Sequence, residues 1–441
     1  MPQSDSNPRT ADLLQVLRRG AGMALAVQIL GVALGYGAQI MLARWMGAAE
    51  YGFYEYVVTW SLFLAFAAGL GLPGAVLRFL PQYVTQQDWS RLKGMVWASF
   101  WGTVGVSLAI ALVTTVIVQR MGMGWTAPVM LAVWLMPLQA LQRIQLEMAR
   151  GMRQIGLAYA PSLIGLPLLL LLGCGGWFHT QQRLLAEMAI ALTMLALGLV
   201  LSVQFWLFLR GFRGKLQAVA AVYTLRPWLA VALPLLLIGG SFVVLRQTDT
   251  LMIGMMVGTS SVGIYAAALE TSAWVNFVLL AVNSIAAPMF AALYVEGDRA
   301  NLQRLAATVA RWMFPLALLV SVGLMVFADP ILGLFGAEFG AAKPAMLWLI
   351  GGQLVNVGAG SVGYLLTMTG RHNQCAIAVG CSAVLNFGLN LVLIPQFGLL
   401  GAAIATAICM SEWNLWLHVL VVKHLGIRPS IWAAVLGGDR R

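Results

Sequence analysis

Charge is what this chain has least of. Only 9% of its 441 residues are Asp, Glu, Lys or Arg, and the 15 acidic side chains are outnumbered by 26 basic ones. A soluble domain carries charge on about a quarter of its residues, so a soluble globular fold is excluded. Cysteine is scarce too. Cys174, Cys375, Cys381 and Cys409 lie in apolar runs with no CxxC or His-paired spacing, which gives no support to a disulfide framework or a metal site. The four histidines, at 179, 372, 418 and 424, form no cluster. Long polar segments are missing as well: the largest connection, about residues 210–226, is too short to fold alone. An extramembrane catalytic domain is therefore excluded, and no grouping of Ser, His and Asp suggests a nucleophile. The expectation is a protein that is not an enzyme and needs no cofactor or metal.

What is present is apolar. Hydrophobic residues make up 61% of the chain and the mean hydropathy is +0.86. With about 20 apolar residues per span, the sequence predicts twelve transmembrane helices, near 20–43, 52–74, 94–118, 127–146, 156–178, 184–209, 227–251, 262–291, 305–328, 344–369, 375–395 and 398–422. Arg18 and Arg19 precede the first, which reads as a retained span, and residues 1–12 are expected to lack order. The net charge of +11 resides in short loops, which points to topology and away from nucleic acid. Among the 26 lysines and arginines, all but Arg44, Arg120, Arg183, Arg246 and Lys343 fall on one side of the predicted spans. The positive-inside rule then places both termini in the cytoplasm of a multi-pass protein of the cytoplasmic membrane.

Shifted by 211 residues, the chain matches itself. Gly47, Gly52, Tyr54, Ser61, Phe66, Ala75, Phe79, Tyr83 and Val84 align with Gly258, Gly263, Tyr265, Ser272, Phe277, Ala286, Phe290, Tyr294 and Val295. The repeat implies an all-α integral membrane fold of two parallel six-helix lobes around a central cavity. The boundaries follow: a cytoplasmic segment 1–19, lobes 20–209 and 227–422, a linker 210–226 and a cytoplasmic tail 423–441. The glycines suit tight turns and the tyrosines an interfacial belt.

Arg246 and Asp249 break the repeat, facing Gly35 and Ala38. An unneeded charge inside a span costs several kcal/mol, about 2.5–3.5 at mid-bilayer, so these two mark a site. They stand three residues apart and are placed to neutralise each other; that ion pair and a substrate or coupling-ion role both remain open readings. Glu55 and Glu270 also depart from the repeat.

The run from Asn386 and Asn390 through Pro395, Gly398 and Gly401 to Thr406 resembles the junction of helices eleven and twelve in the polysaccharide-transport branch of the multidrug/oligosaccharidyl-lipid/polysaccharide exporter superfamily. The segment Asp249–Tyr265 and the pair Gly297 and Asp298 look like the same family. The resemblance implies a flippase for a lipid-linked oligosaccharide, working by alternating access, with the bilayer and a glycan carried on a lipid pyrophosphate as its partners. Glycan polymerases or other cell-envelope assembly proteins are further partners it suggests, with a proton or sodium ion as coupling ion. Relatives that flip the peptidoglycan precursor have fourteen helices, whereas here only a short apolar segment, 431–436, follows helix twelve. The drug exporters usually carry an acid in helix one, and here there is none.

A pyrophosphate needs cations, and Arg offers forked donors to phosphate oxygens. The candidates for binding substrate are Arg246, Arg44, Arg78 and Arg311, with Asn386 and Asn390; those for ion coupling are Asp249, Glu270 and Glu55. An ion-coupled multidrug exporter on the same fold is the alternative, and it requires an acid-lined cavity. A glycan polymerase would need a long external loop with catalytic residues. A non-transporting scaffold would tolerate Arg246→Ala.

Overall fold

The computed structural model describes residues 8–121, 126–217 and 219–431, and these are almost entirely helical. Fifteen α-helices follow in order: α1 Pro8–Ala68, α2 Leu72–Thr85, α3 Trp89–Met121, α4 Thr126–Gly151, α5 Ile155–Ala160, α6 Leu166–Gln181, α7 Ala186–Gln217, α8 Leu225–Met256, α9 Thr259–Val295, α10 Arg299–Val326, α11 Ala328–Phe335, α12 Lys343–Ala359, α13 Val362–Met368, α14 His372–Phe397 and α15 Leu399–Leu425. A π-turn, Pro161–Gly165, joins α5 to α6, and a 3-10 turn, Ala337–Ala342, joins α11 to α12. Side chains such as Leu172, Leu195, Leu319 and Val384 are exposed on the outside of the bundle. An apolar outer surface is what a bilayer requires.

Among the described residues ten helices are long and apolar enough to cross a membrane, or eleven when the bent pair Ala337–Ala359 and Val362–Met368 counts as one span. Twelve were expected, and much of the difference lies in α1. A straight 61-residue helix would reach about 90 Å, three times the hydrocarbon thickness. The chain turns instead at Gly47 (φ 75°, ψ 168°). Tyr51 Oη donates to Gln39 Oε1 at 3.0 Å; twelve residues along one helix are about 18 Å apart, so α1 is two arms folded back on each other. Residues 8–12, expected to lack order, open the first arm, while 1–7 and 432–436 lie outside the described residues.

The repeat is visible in the backbone. Gly258, equivalent to Gly47, also has positive φ (123°). A Cβ placed on Gly52 would run into the Thr259 carbonyl and the Gly263 nitrogen; one placed on Gly263 would run into the Ala48 carbonyl and the Gly52 nitrogen. Since 48, 52, 259 and 263 are two equivalent pairs, the contact is reciprocal, as across a two-fold axis. Farther on, Asp88 accepts from Arg91 N and Asp298 from Asn301 N, both at 3.0 Å, capping α3 and α10 alike. The tyrosines of the repeat do not sit in an interfacial belt. Tyr54 and Tyr265 are buried, and their hydroxyls bond Thr193 and Asp249.

One helix belongs to both halves. Near its start, α8 buries Trp228, whose Nε1 donates to Tyr83 Oη of α2 at 2.8 Å, within the core formed by α2, α3 and α4. From Phe242 onward it packs on α14 and α15, with the Phe242 ring 6.3 Å from Trp413. Gly239 and Gly240 lie between these stretches, against the Phe66 ring.

Candidate functional site

Polar side chains collect where α8 and α9 meet their neighbours, in three places. The first is a closed nest around Asp249, which is buried. Tyr265 Oη donates to Oδ2 at 2.8 Å, Asn390 Nδ2 to Oδ1 at 2.7 Å, and the Thr406 hydroxyl donates to Oδ2. Asn390 Nδ2 also reaches Asn386 Oδ1 at 3.0 Å, and Asn386 Nδ2 lies 3.4 Å from Thr406 Oγ1. Four helices, α8, α9, α14 and α15, thus converge on one carboxylate. Burial in a membrane protein makes that convergence necessary, since an unbonded carboxylate there is very costly. Asn390 Oδ1 is buried and has no hydrogen-bond partner.

The nest bears on two of the sequence readings. Arg246 and Asp249 do not form an ion pair; the three salt bridges among the described residues are Arg91 with Asp88, Arg150 with Glu147 and Lys343 with Asp329. Asn386 and Asn390, considered for substrate, are fully buried and turned to Asp249.

The second place is the seam between α1 and α9. Tyr36 Oη and Thr271 Oγ1 are 3.0 Å apart across it. Glu55, on the second arm of α1, has a buried Oε1 without a hydrogen-bond partner, and its charge is felt by Tyr51 and Tyr54. Glu270, opposite on α9, acts on Glu55 and on Tyr36. Its side chain is exposed about a third of the way along α9. Arg246 is exposed in the same way and acts on Glu270. Glu270 is thus near enough to Glu55 and to Arg246 for its charge to interact with both.

The third is a cavity of about 310 Å³ whose walls include Phe66, Arg143, Leu235, Gly239 and Phe242. Arg143 was read as a topology charge because its sign and end of the helix match the others. Its guanidinium lies 5.3 Å from the centroid of the Phe66 ring, inside the span. Tyr265 and Thr406 are not among the candidates from sequence, Tyr265 being expected in an interfacial belt and Thr406 closing the family run; their signal, a hydroxyl inside an apolar helix, is too common to single out. Arg44, Arg78 and Arg311 are exposed and do not line this cavity; Arg78 lies 5.8 Å from the Phe79 ring.

The fold and these polar clusters inside apolar helices define the class: a multi-pass membrane transporter. Residues 17–294 match the family described as polysaccharide biosynthesis protein, and the chain belongs to that family. Residues 234–392 also match the MatE family. A curated relative, the probable low-salt glycan biosynthesis flippase Agl15 of Haloferax volcanii, is 31% identical over 185 residues, 41% of this chain and 38% of that protein. The match thus spans less than half of the relative's length. In fold the chain is similar to the inward-facing conformation of a multidrug resistance MATE family transporter of the MOP superfamily. That likeness has TM-score 0.70 at 15% identity, covering 95% of this chain and 100% of that one. An outward-facing conformation from the same family gives TM-score 0.63 at 14% identity, covering 92% and 95%.

Proposed function

We propose that this protein is a flippase, carrying a lipid-linked oligosaccharide or polysaccharide precursor from the cytoplasmic to the outer leaflet of the cytoplasmic membrane. Both termini are cytoplasmic in this reading. The halves 20–209 and 227–422 rock about the seam to expose the cargo alternately to each side. The observation that carries the reading is Arg246: a cation ten residues inside the end of α8, exposed and in no ion pair among the described residues. Such a charge is costly unless a ligand uses it, and a pyrophosphate is the anion that a glycan-bearing lipid presents. The likeness to a glycan flippase supports the same cargo.

Coupling falls to the acids. Asp249, the free Oδ1 of Asn390 and the Thr406 and Tyr265 hydroxyls supply hard oxygen donors suited to a proton or a small monovalent cation. Glu55 and Glu270 sit where the halves separate, so their protonation or cation binding would bias that separation. A second reading, ion-coupled export of amphipathic cations, draws on the same two carboxylates and on the fold.

Transport by the full chain in liposomes, with labelled lipid-linked glycan as substrate, tests the proposal. Flipping is expected from the wild type, reduced at least about tenfold in Arg246→Ala and uncoupled from the ion gradient in Asp249→Asn. Export of a cationic dye without movement of any glycan would favour the second reading.

A further inference from the structure

We propose that residues 427–431 form a strap that locks the break between α12 and α13, and that this strap must lift for the broken span to flex during transport. It is a brake built into the second half of the chain, and it acts on the transporter whatever the cargo.

The seat of the strap is a break in a membrane helix. The two helices pass as one span only when taken together, and they are bent by 46°. Gly360 and Ser361 lie between them and belong to neither. Gly360 has φ 81° and ψ −162°, a backbone conformation that favours glycine. Few bonds tie the break: Gly360 N donates to the Val357 carbonyl at 3.0 Å and Val362 N to the Gly360 carbonyl at 2.9 Å. A helix interrupted at one such residue can pivot there.

The strap reaches this pivot from α15. Gly426, in the left-handed region at φ 70°, ends that helix and turns the chain. Ile427 is then buried, Arg428 exposed, and Pro429, Ser430 and Ile431 buried. The Pro429 carbonyl oxygen stands 2.3 Å from where a Cβ on Gly360 would be, so that even a methyl group is excluded from the contact. Ile431 comes within 3.9 Å of the Cβ position of Gly358, and the Phe314 ring of α10 within 3.4 Å of the same point. The strap therefore packs on the pivot residue itself and on the turn before it.

One side chain of α10 clasps the strap from outside. Gln303 Nε2 donates to the Arg428 carbonyl at 3.1 Å, and Arg428 N donates to Gln303 Oε1 at 2.7 Å. Both bonds are exposed, and water replaces such bonds at little net cost. The strap is well seated yet weakly held, which is what a part that opens locally requires. While it is seated, Gly360 cannot change its φ and ψ without pressing on the Pro429 carbonyl. Once it lifts, α13 is free to swing. Seven residues make α13 about 10 Å long, so straightening would carry its far end by about 7 Å.

The test places spin labels at Thr367→Cys and Lys423→Cys, exposed positions near the ends of α13 and α15, in the full chain with its native cysteines replaced by alanine. The otherwise unchanged chain is expected to give one distance. Ile431→Asp puts a charge where the strap is buried, and Gln303→Leu removes both clasping bonds. Each should add a second population displaced by about 5 Å or more, and each should speed glycan flipping in liposomes at least about twofold. Gln303→Glu, which keeps only the acceptor for Arg428 N, should fall between; the Gln303 variants carry the test if Ile431→Asp fails to fold. A single unchanged distance in the variants would overturn the lock, and a second population with flipping no faster than wild type would overturn the brake. A wild type that moves no glycan would overturn the flippase reading alone, because the label distances still decide whether the strap governs the pivot.

Discussion

Asn390 shows how much a single residue can carry in this bundle. Its Nδ2 donates to Asp249 and to Asn386 while its Oδ1 stays unpartnered. Replacing it with alanine removes one of three donors from a buried carboxylate and is expected to cost about 1–2 kcal/mol, read as a lowered unfolding temperature of the full chain in detergent. An unchanged temperature would mean that Tyr265 and Thr406 suffice. Asp298, outside the spans, gives a pH-dependent case. The Asn301 backbone N–H, then the Asn301 side chain, holds its carboxyl below the usual carboxylate range. A depressed folded-state value stabilises above the unfolded value, about pH 3.9, and the contribution is lost as pH falls through the folded one. Asp298→Asn should therefore unfold more easily than the wild type at pH 7, and the gap should narrow as pH falls below about 3.9; a constant gap would mean that charge plays no part in the cap.

At the scale of helices, contact distance sets tolerance. Gly52 touches Thr259 and Gly263 so closely that a Cβ cannot be placed, whereas Gly105 on α3 has nothing within 4 Å. Gly52→Val is expected to destabilise the chain by about 1–3 kcal/mol, with Gly105→Ala near neutral, in the same thermal assay; equal effects would deny the close approach of α1 and α9. Helices of this kind were legible in the sequence because hydropathy and basic bias are local sums. The turns at Gly47 and Gly258 were legible for the same reason. Asn386 and Asn390, one turn apart, were visible as a pair, but Asp249 is 141 residues from Asn390 and only the packing of α8 on α14 joins them. Arg143 was hidden by company: its charge and position matched the topological arginines, and what sets it apart, the Phe66 ring, lies on another helix.

At the scale of the whole molecule, a polar link joins the two halves at the end where α1 folds back. The Glu338 side chain, between α11 and α12, accepts from the Ala48 backbone N–H at the start of the second α1 arm. A carboxylate at a helix start is favoured by the unpaired amides and the helix dipole. Glu338→Ala is expected to speed amide hydrogen exchange around residues 48–52 without altering the start of α7, where Glu50 accepts from Ala186 N at 2.8 Å. Equal protection in wild type and variant would show that the link bears no load.

The reciprocal meeting of Gly52 with Gly263 has a consequence for descent. When a residue contacts its own equivalent across a two-fold axis, the surface is complementary to itself, as in an isologous homodimer. A six-helix unit with that glycine already carries the instructions for pairing with a second copy. Fusing two such units preserves the pairing and frees each copy to change alone. Arg246 and Asp249, whose counterparts are Gly35 and Ala38, are changes of that kind: a separate ancestral subunit would have had to bear them twice, whereas the fused chain bears them once.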